Sequence, residues 1–212
     1  MIDSNRLVIG ISGASGVIYG VRLLQALQEF PVETHLVMTR TAEVTLAHET
    51  SLKVAEVQAL AGRAHPVDDL AAAISSGSFR TLGMIVAPCS MRSLGEIANG
   101  ISSNLLTRAA DVVLKERRRL VLLVRETPLS EVHLENMLKL ARMGASIVPP
   151  MPAFYNHPQT VDDIVNHIVA RVLDQFEIEA PFARRWDGHM HTATKIVSAV
   201  SNPAAPSAKS GT

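Results

Sequence analysis

A glycine- and serine-rich segment of the chain, residues Gly10 to Gly16 (GISGASG), follows directly after the apolar run Leu7 to Ile9. The residues from Val17 to Phe30 then have the apolar spacing of a helix. A strand that turns into a helix through such a segment presents backbone N–H groups and a positive helix end to a phosphate. We therefore expect a phosphorylated ligand at this turn. Because the segment lacks the Lys-Ser/Thr pair of a P-loop, a tight turn without a ligand is the alternative.

Polar residues follow each of four further apolar runs of the chain. They are Thr39, Arg40, His48 and Glu49 after the first of these runs, Ser90, Met91, Arg92 and Ser93 after the second, Arg125 and Glu126 after the third, and Phe154 and Tyr155 after the fourth. If the runs are parallel strands, these points lie along one edge of a sheet. Hydroxyls, two carboxylates, arginines and a phenol then converge near the glycine segment, where we expect the chemistry to take place.

Two pairs of charged residues each have two interpretations. Arg125 and Glu126 can form an ion pair that closes a strand, or they can bind a phosphate and transfer a proton. Arg108 and Lys115 lie on one stripe of a helix predicted from about Ser103 to Arg118. That stripe fits a boundary with solvent, and it fits equally well a subunit boundary at which both cations face an anion.

Five short runs rich in Val, Ile and Leu show little alternation with polar residues, as is typical of strands covered on both faces. They are Leu7 to Ile11, Thr34 to Met38, Gly83 to Ala87, Leu120 to Val124 and Ala145 to Val148. Helical patterns separate them. We therefore predict an α/β fold, a single-domain, Rossmann-like (flavodoxin-like), doubly wound parallel sheet flanked by helices. Ligands of such folds bind beyond the carboxyl ends of the strands, where the strand order switches.

The domain organisation is predicted to be simple. Residues 1–186 form one domain, and residues 187–212 form a C-terminal tail that is partly disordered or packs on a neighbouring subunit. The segment from Ser51 to Arg80 has no clear period, and we predict that it is helical or irregular and peripheral.

The composition argues against several classes of function. The 212 residues carry 20 basic and 20 acidic side chains, and zero formal charge disfavours binding to nucleic acid or to an anionic membrane. The single cysteine, Cys89, cannot form an internal disulfide, which fits a reducing cytoplasm, and we expect it to be a buried residue rather than a nucleophile. The apolar runs are too short to span a bilayer, and the scattered histidines predict no metal site.

Several motifs in the same order resemble the UbiX-type flavin prenyltransferases, which are relatives of the flavin-containing cysteine decarboxylases. The resemblance runs from about Arg6 to Trp186. The motifs that carry it are Gly13-Ala14-Ser15-Gly16, Pro88-Cys89-Ser90 with Ser93-Leu94, Asn104-Leu105-Leu106 with Arg108-Ala109-Ala110-Asp111, Leu114-Lys115-Glu116-Arg117-Arg118, Arg125-Glu126-Thr127-Pro128, His133-Leu134-Glu135-Asn136-Met137, Phe154-Tyr155 and Trp186.

The resemblance implies an enzyme that joins a dimethylallyl group to N5 and C6 of reduced FMN without a metal. Dimethylallyl monophosphate is the implied donor, with the diphosphate as an open alternative, and phosphate leaves. The product is prenylated FMN, the cofactor of UbiD-type decarboxylases, which act in ubiquinone synthesis or in the breakdown of aromatic acids. The resemblance also implies a homo-oligomer, a dodecamer built from trimers with active sites between subunits.

The resemblance also assigns roles to residues. The implied FMN-binding set is Gly13, Ala14, Ser15, Thr39, Ser90, Met91, Arg92, Ser93 and Arg125. The implied prenyl-phosphate set is Lys115, Glu126, Tyr155 and Arg171, with Arg108 reaching across a subunit boundary and Trp186 forming a wall of the prenyl pocket. Ser15 and Glu126 would relay a proton to the departing phosphate, and Glu49 would assist proton loss from flavin C6. Thr39 stands where the family commonly has serine, and it keeps the hydroxyl.

Three other functions compete with this one. A cysteine-type decarboxylase would carry a Pro-Ala-Ser-Ala-Asn-Thr motif, whereas this chain has Ala87-Pro88-Cys89-Ser90-Met91-Arg92. A flavodoxin-like electron carrier would need no second anion site, and we would expect an acidic surface. A direct decarboxylase of aromatic acids would need a separate pocket for an aromatic carboxylate, which the sequence does not indicate.

Overall fold

Six parallel strands form the centre of the protein. We describe residues 5–183 and 185 of a computed structural model. The strands are β1 (Arg6–Ile11), β2 (Glu33–Met38), β3 (Arg63–His65), β4 (Gly83–Cys89), β5 (Arg119–Val124) and β6 (Ser146–Ile147). Their order across the sheet is β3-β2-β1-β4-β5-β6. The order therefore switches between β1 and β4, and a ligand is expected at that point of the carboxyl edge.

Seven helices surround the sheet. They are α1 (Val17–Leu27), α2 (Arg40–Glu49), α3 (Val54–Ala59), α4 (Met91–Ala98), α5 (Leu105–Lys115), α6 (Glu131–Arg142) and α7 (Val161–Asp174). Five of them begin at a side chain that accepts a hydrogen bond from the backbone three residues later, as N-caps do. These caps are Thr39, Ser90, Asn104, Ser130 and Thr160.

The strands have apolar residues on both faces because helices cover the sheet on both sides. Leu7 and Ile9 of β1 pack into a core with α1 and α7, whereas Val8 packs into a second core with α4 and α5. This burial on both sides explains the continuous apolar runs in the sequence. The predicted doubly wound α/β fold is confirmed.

The segment from Ser51 to Arg80 was the part of the fold that the sequence pattern described least well. It contains the short helix α3, as expected, but it also contributes the edge strand β3, which pairs with His35 to Val37 of β2. The expectation of a helical or irregular segment was therefore wrong at Arg63–His65. A strand of three residues that includes an arginine and a histidine has neither the length nor the apolar run that would have indicated it.

Two predictions from the sequence concern residues outside those that the structure describes. Trp186 and the tail from residue 187 onward lie outside the described residues, so the proposed boundary at residue 186 stays a prediction. Between residues 5 and 183, no helix is long and apolar enough to cross a membrane.

A pair of buried histidines joins β2 to β3. Nδ1 of His35 and Nε2 of His65 lie 2.9 Å apart, and the rings stack with centroids 5.2 Å apart. The ring of Phe79 packs edge to face against His35, with the two ring centroids 5.2 Å apart. A hydrogen bond between two imidazoles needs one neutral acceptor nitrogen, so this contact is lost when both rings are protonated.

Burial lowers the pKa of both histidines below the ordinary value of 6.5. For His35 the nearby Glu33 carboxylate partly opposes this effect, while Arg6 and Arg63 add to it. For His65, the second cause of the lower pKa is the neighbouring His35.

We expect the free energy of unfolding to decrease as the pH falls below about 6.5. In this range the unfolded chain binds protons that the folded chain excludes, and each unit of pKa depression corresponds to about 1.4 kcal/mol. Urea unfolding between pH 5 and 8 measures this. The double variant His35→Leu/His65→Leu should flatten the profile, and the exposed-residue control His48→Gln should not. A wild-type profile as flat as that of the double variant would contradict the expectation.

Candidate active site

A groove opens at the carboxyl edge of the sheet, where the strand order switches. Its volume is about 500 Å³, and the loops after β1, β2 and β4 form most of its walls. The residues that line it are Gly13, Thr39, Arg40, Thr41, Val67, Asp68, Ser90, Arg92, Ser93, Glu96, Ser103 and Asn104. Five of the residues singled out in the sequence for cofactor binding thus meet in one place: Gly13, Thr39, Ser90, Arg92 and Ser93.

Two of the helices that begin at this groove are capped by hydroxyl groups. Thr39 Oγ1 accepts a hydrogen bond from the N–H of Ala42 at 3.1 Å at the start of α2. Ser90 Oγ accepts one from the N–H of Ser93 at 3.2 Å at the start of α4. The positive ends of two helix dipoles and a set of hydroxyl groups therefore face the same space, which suits a phosphate.

Two arginines at the groove are each paired with a carboxylate of the groove wall. Nη2 of Arg40 lies 2.6 Å from Oδ2 of Asp68, and Nε of Arg92 lies 2.9 Å from Oε1 of Glu96. Both arginines are mostly exposed, so these ion pairs contribute little to stability. Either guanidinium can therefore exchange its carboxylate for a ligand phosphate at small cost.

The start of α1, in contrast, is already occupied by a carboxylate. Glu49, the last residue of α2, accepts hydrogen bonds at Oε2 from the N–H of Gly16 at 2.9 Å and of Val17 at 3.1 Å. We expected these N–H groups to be free for a phosphate, and that expectation was wrong. Nothing in the local sequence could have revealed the contact, because the residues are more than thirty positions apart. Within the described chain, the N–H groups of Gly13 and Ser15 have no hydrogen-bond partner.

Arg125 and Glu126 lie beside the groove but do not pair with each other. Both are exposed, and the N–H of Arg125 donates to the carbonyl of Cys89 at 3.1 Å, which ties the end of β5 to the end of β4. Oε1 of Glu126 accepts from the N–H of Thr127 at 3.0 Å. Among the residues that the structure describes, Arg125 forms no ion pair. The interpretation of these two residues as a structural ion pair is therefore not supported.

Tyr155 and Arg171 line a second cavity of about 400 Å³, on the outer side of α7. The rings of Tyr155 and His167 meet edge to face with centroids 5.8 Å apart. Asp174 lies between two arginines, with its carboxylate 2.6 Å from Arg171 and 2.8 Å from Arg185. Tyr155 and Arg171 thus line the same cavity, and Arg185, which also lines it, carried no signal in the sequence.

No residue that lines this second cavity also lines the groove. Arg171 is near the carboxyl end of α7, and Gln175, just after the helix, accepts a hydrogen bond from Arg119 at the start of β5. Arg171 therefore lies toward the amino edge of the sheet, whereas the groove opens at the carboxyl edge.

Lys115 also lies at the amino edge of the sheet. It ends α5 four residues before β5 begins, whereas Glu126 follows the other end of β5. Six extended residues span about 20 Å, so the two side chains do not meet within one chain. Arg108, higher on α5, lies 2.8 Å from Asp111 and donates to the carbonyl of Ser75 at 3.2 Å. The expected grouping of Lys115 with Glu126, Tyr155 and Arg171 is therefore not present in a single copy.

Cys89 is fully buried at the end of β4, and burial raises the pKa of its thiol to about 12. A thiol with such a pKa stays protonated near neutral pH, so Cys89 is not an activated nucleophile. The structure thus agrees with its interpretation as a buried small residue.

Comparison with known proteins gives a consistent result. The profile of the Flavoprotein family matches residues 1–173. A protein of Streptomyces sp. (strain D7), named "Probable UbiX-like flavin prenyltransferase", is 64% identical over 184 residues, which are 86% of this chain and 92% of that protein.

Two crystal structures are similar in both sequence and fold. A dodecameric FMN-dependent UbiX-like decarboxylase from Escherichia coli O157:H7 is 62% identical with a TM-score of 0.85, covering 86% of this chain and all (100%) of that one. The second protein, AnUbiX (PadA1), was crystallised with FMN and dimethylallyl pyrophosphate. It is 49% identical with a TM-score of 0.87, covering 88% of this chain and 99% of that one.

Proposed function

Because this chain belongs to the Flavoprotein family, and within it to the UbiX-type flavin prenyltransferases, we propose that its groove binds FMN and that the protein attaches a dimethylallyl group to N5 and C6 of the reduced flavin. The observation that carries this proposal is the meeting of Gly13, Thr39, Ser90, Arg92 and Ser93 around one groove at the strand-order switch. Helix ends and hydroxyl groups there supply the donors that a flavin phosphate requires.

The FMN site comprises the groove and its immediate neighbours. Thr39 and Ser90 offer their hydroxyls, while the free N–H groups of Gly13 and Ser15 and the guanidinium of Arg92 are further donors. Ala14 and Met91 adjoin these residues in the two loops and complete the set together with Ser93 and Arg125. Reduced FMN supplies the nucleophilic N5 and C6 atoms when it is bound.

The proton-transfer groups flank the groove. Glu126 and the exposed hydroxyl of Ser15 are proposed to pass a proton to the phosphate as the carbon–oxygen bond of the donor breaks. Glu49 is proposed to accept the proton that leaves C6. Its carboxylate is held against the start of α1 by two backbone N–H groups, which fix its position.

The prenyl-phosphate site is proposed to form between copies of the chain. None of Arg108, Lys115, Tyr155 and Arg171 lines the groove of its own copy, and the similar protein from E. coli O157:H7 is a dodecamer. We propose that the same assembly brings these residues to a neighbour's groove, with Trp186 as a wall of the prenyl pocket. Fixed cations suffice to hold a monophosphate, and we therefore propose dimethylallyl monophosphate as the donor. From the resemblance to the UbiX-type family, we also propose a UbiD-type decarboxylase as the recipient of the product.

The test is anaerobic incubation with reduced FMN and dimethylallyl monophosphate without added metal, followed by mass spectrometry of the released flavin. We expect the flavin to gain one five-carbon unit, and we expect the released flavin to activate an apo-decarboxylase of the UbiD type. A parallel reaction with the diphosphate identifies the preferred donor, and a reaction without a donor is the control. Unmodified FMN with both donors would overturn the proposal, and decarboxylation would then be tested.

A further inference from the structure

Ser12 is a buried polar residue between the loops after β1 and β4, which are two of the loops that form the groove. It follows β1 directly and is fully buried. Its hydroxyl donates to the carbonyl of Pro88 at 2.9 Å and accepts from the N–H of Ser90 at 2.7 Å. Its own N–H donates to the same Pro88 carbonyl at 3.2 Å. One side chain thus connects the loop after β1 to the loop after β4.

These hydrogen bonds lie just beyond the point where the regular pairing of β1 with β4 ends. The last paired residues of β1 and β4 are Gly10 and Val86. The pairing of β4 with β5 is also irregular between Val86 and Cys89. Beyond this point, the hydrogen bonds that join the loop after β1 to the loop after β4 in the described chain are those of Ser12.

The residue that Ser12 holds is itself part of the groove. Ser90 caps α4, and its hydroxyl contacts both the N–H and the hydroxyl of Ser93 at 3.2 Å. The position of the Ser90 backbone therefore determines how the Ser90 and Ser93 side chains are placed in the groove. Without the hydroxyl of Ser12, the N–H of Ser90 would be a partly buried donor without its partner, and we expect the loop to shift to satisfy it.

We infer that Ser12 is a positioning residue for flavin binding, which acts by fixing Ser90 and the start of α4 relative to Gly13. This inference rests on the proposed function, since it assumes that the groove takes FMN. Ser12 itself is buried beneath the groove and acts through Ser90.

Thr34 provides a matched control. It is also a buried hydroxyl residue, 4% exposed, and its Oγ1 accepts a hydrogen bond from the N–H of Gly62 at 3.0 Å. It lies near the amino end of β2, at the opposite edge of the sheet from the groove. Removing its hydroxyl deletes a similar hydrogen bond without touching the flavin site.

The experiment measures the dissociation constant for FMN by flavin fluorescence, the KM for FMN, kcat and Tm for the wild type, Ser12→Ala, Ser12→Thr and Thr34→Ala. We expect Ser12→Ala to raise the Kd and KM for FMN about tenfold or more, with kcat at saturating FMN changed less than about threefold. Thr34→Ala should lower Tm by about as much as Ser12→Ala does, and it should leave the Kd for FMN unchanged. Ser12→Thr, which keeps the hydroxyl, should recover most of the affinity.

The possible failures are distinguishable. A wild-type protein that does not bind FMN would overturn the proposed function. A wild type that binds FMN, with Ser12→Ala binding equally well or with Thr34→Ala losing as much affinity, would overturn the role of Ser12 alone. If Ser12→Ala does not fold, Ser12→Cys is measured instead. A thiol has a similar shape but is a weaker hydrogen-bonding group, so the Kd of Ser12→Cys for FMN should be higher than that of the wild type.

Discussion

Replacing Lys115 by methionine is expected to lower kcat/KM for prenyl transfer by about 10²–10³-fold, as is typical when a charge that stabilises a leaving group is lost. Binding of FMN should be unchanged, because Lys115 lies at the amino edge of the sheet, away from the groove of its own chain. The measurement is the rate of prenyl transfer with Lys139→Met as the control. Lys139 is a surface lysine of α6 whose ammonium contacts only Asn99 at 3.1 Å among the described residues.

A mixing experiment separates an effect between copies from an effect within one copy. Glu126→Gln is expected to be nearly inactive as well, because it removes a proposed proton donor. If Lys115 and Glu126 of one site come from different copies, co-expression of the two variants creates some intact sites, about a quarter in a random mixture. Activity in the co-expressed protein no higher than in either variant alone would show that the two residues do not act across subunits.

Replacing Gly13 by alanine is expected to weaken FMN binding by about ten- to a hundredfold, since overpacking of this kind costs about 1–3 kcal/mol. A Cβ atom at Gly13 would lie 2.4 Å from both Cβ and Cγ2 of Thr41, in the first turn of α2. Either the loop or α2 must move, and Thr39 moves with α2. Titration with FMN measures the effect.

Gly95 is the matched control for this glycine. It lies in the middle of α4, and the nearest atom to a Cβ there, Nδ2 of Asn136, would be 3.7 Å away. Gly95→Ala should therefore bind FMN normally and gain up to about 1 kcal/mol of stability from helix propensity. Equal FMN affinity in Gly13→Ala and wild type would show that the approach of α2 to the loop does not shape the site.

The parts of the fold that the sequence indicated were those that depend on local pattern. Continuous apolar runs indicated five of the six strands, and helical spacing placed the helices between them. Because parallel strands end at one edge, the residues after β1, β2 and β4 could be predicted to meet before the structure was known. The short strand β3 escaped because its pairing with β2, rather than its own composition, defines it.

The parts that the sequence could not indicate are contacts between distant elements. Glu49 looks like an exposed helix residue until the end of α2 is placed against the start of α1. The role of Ser12 appears only when the loops after β1 and β4 are seen side by side. Lys115 belongs to a motif that resembles the UbiX-type family, yet where it lies in its own copy depends on the direction of α5.

The groove arginines already have partners, and this affects how the product leaves. Arg40 has Asp68 and Arg92 has Glu96, so both arginines among the described residues that line the groove are paired with a carboxylate. A flavin phosphate must compete with these carboxylates when it enters, and the carboxylates recover the arginines when it departs. Because both ion pairs are exposed and weak, this exchange costs little in either direction, and the phosphate can enter and leave readily. The groove is built for turnover of flavin rather than for its storage.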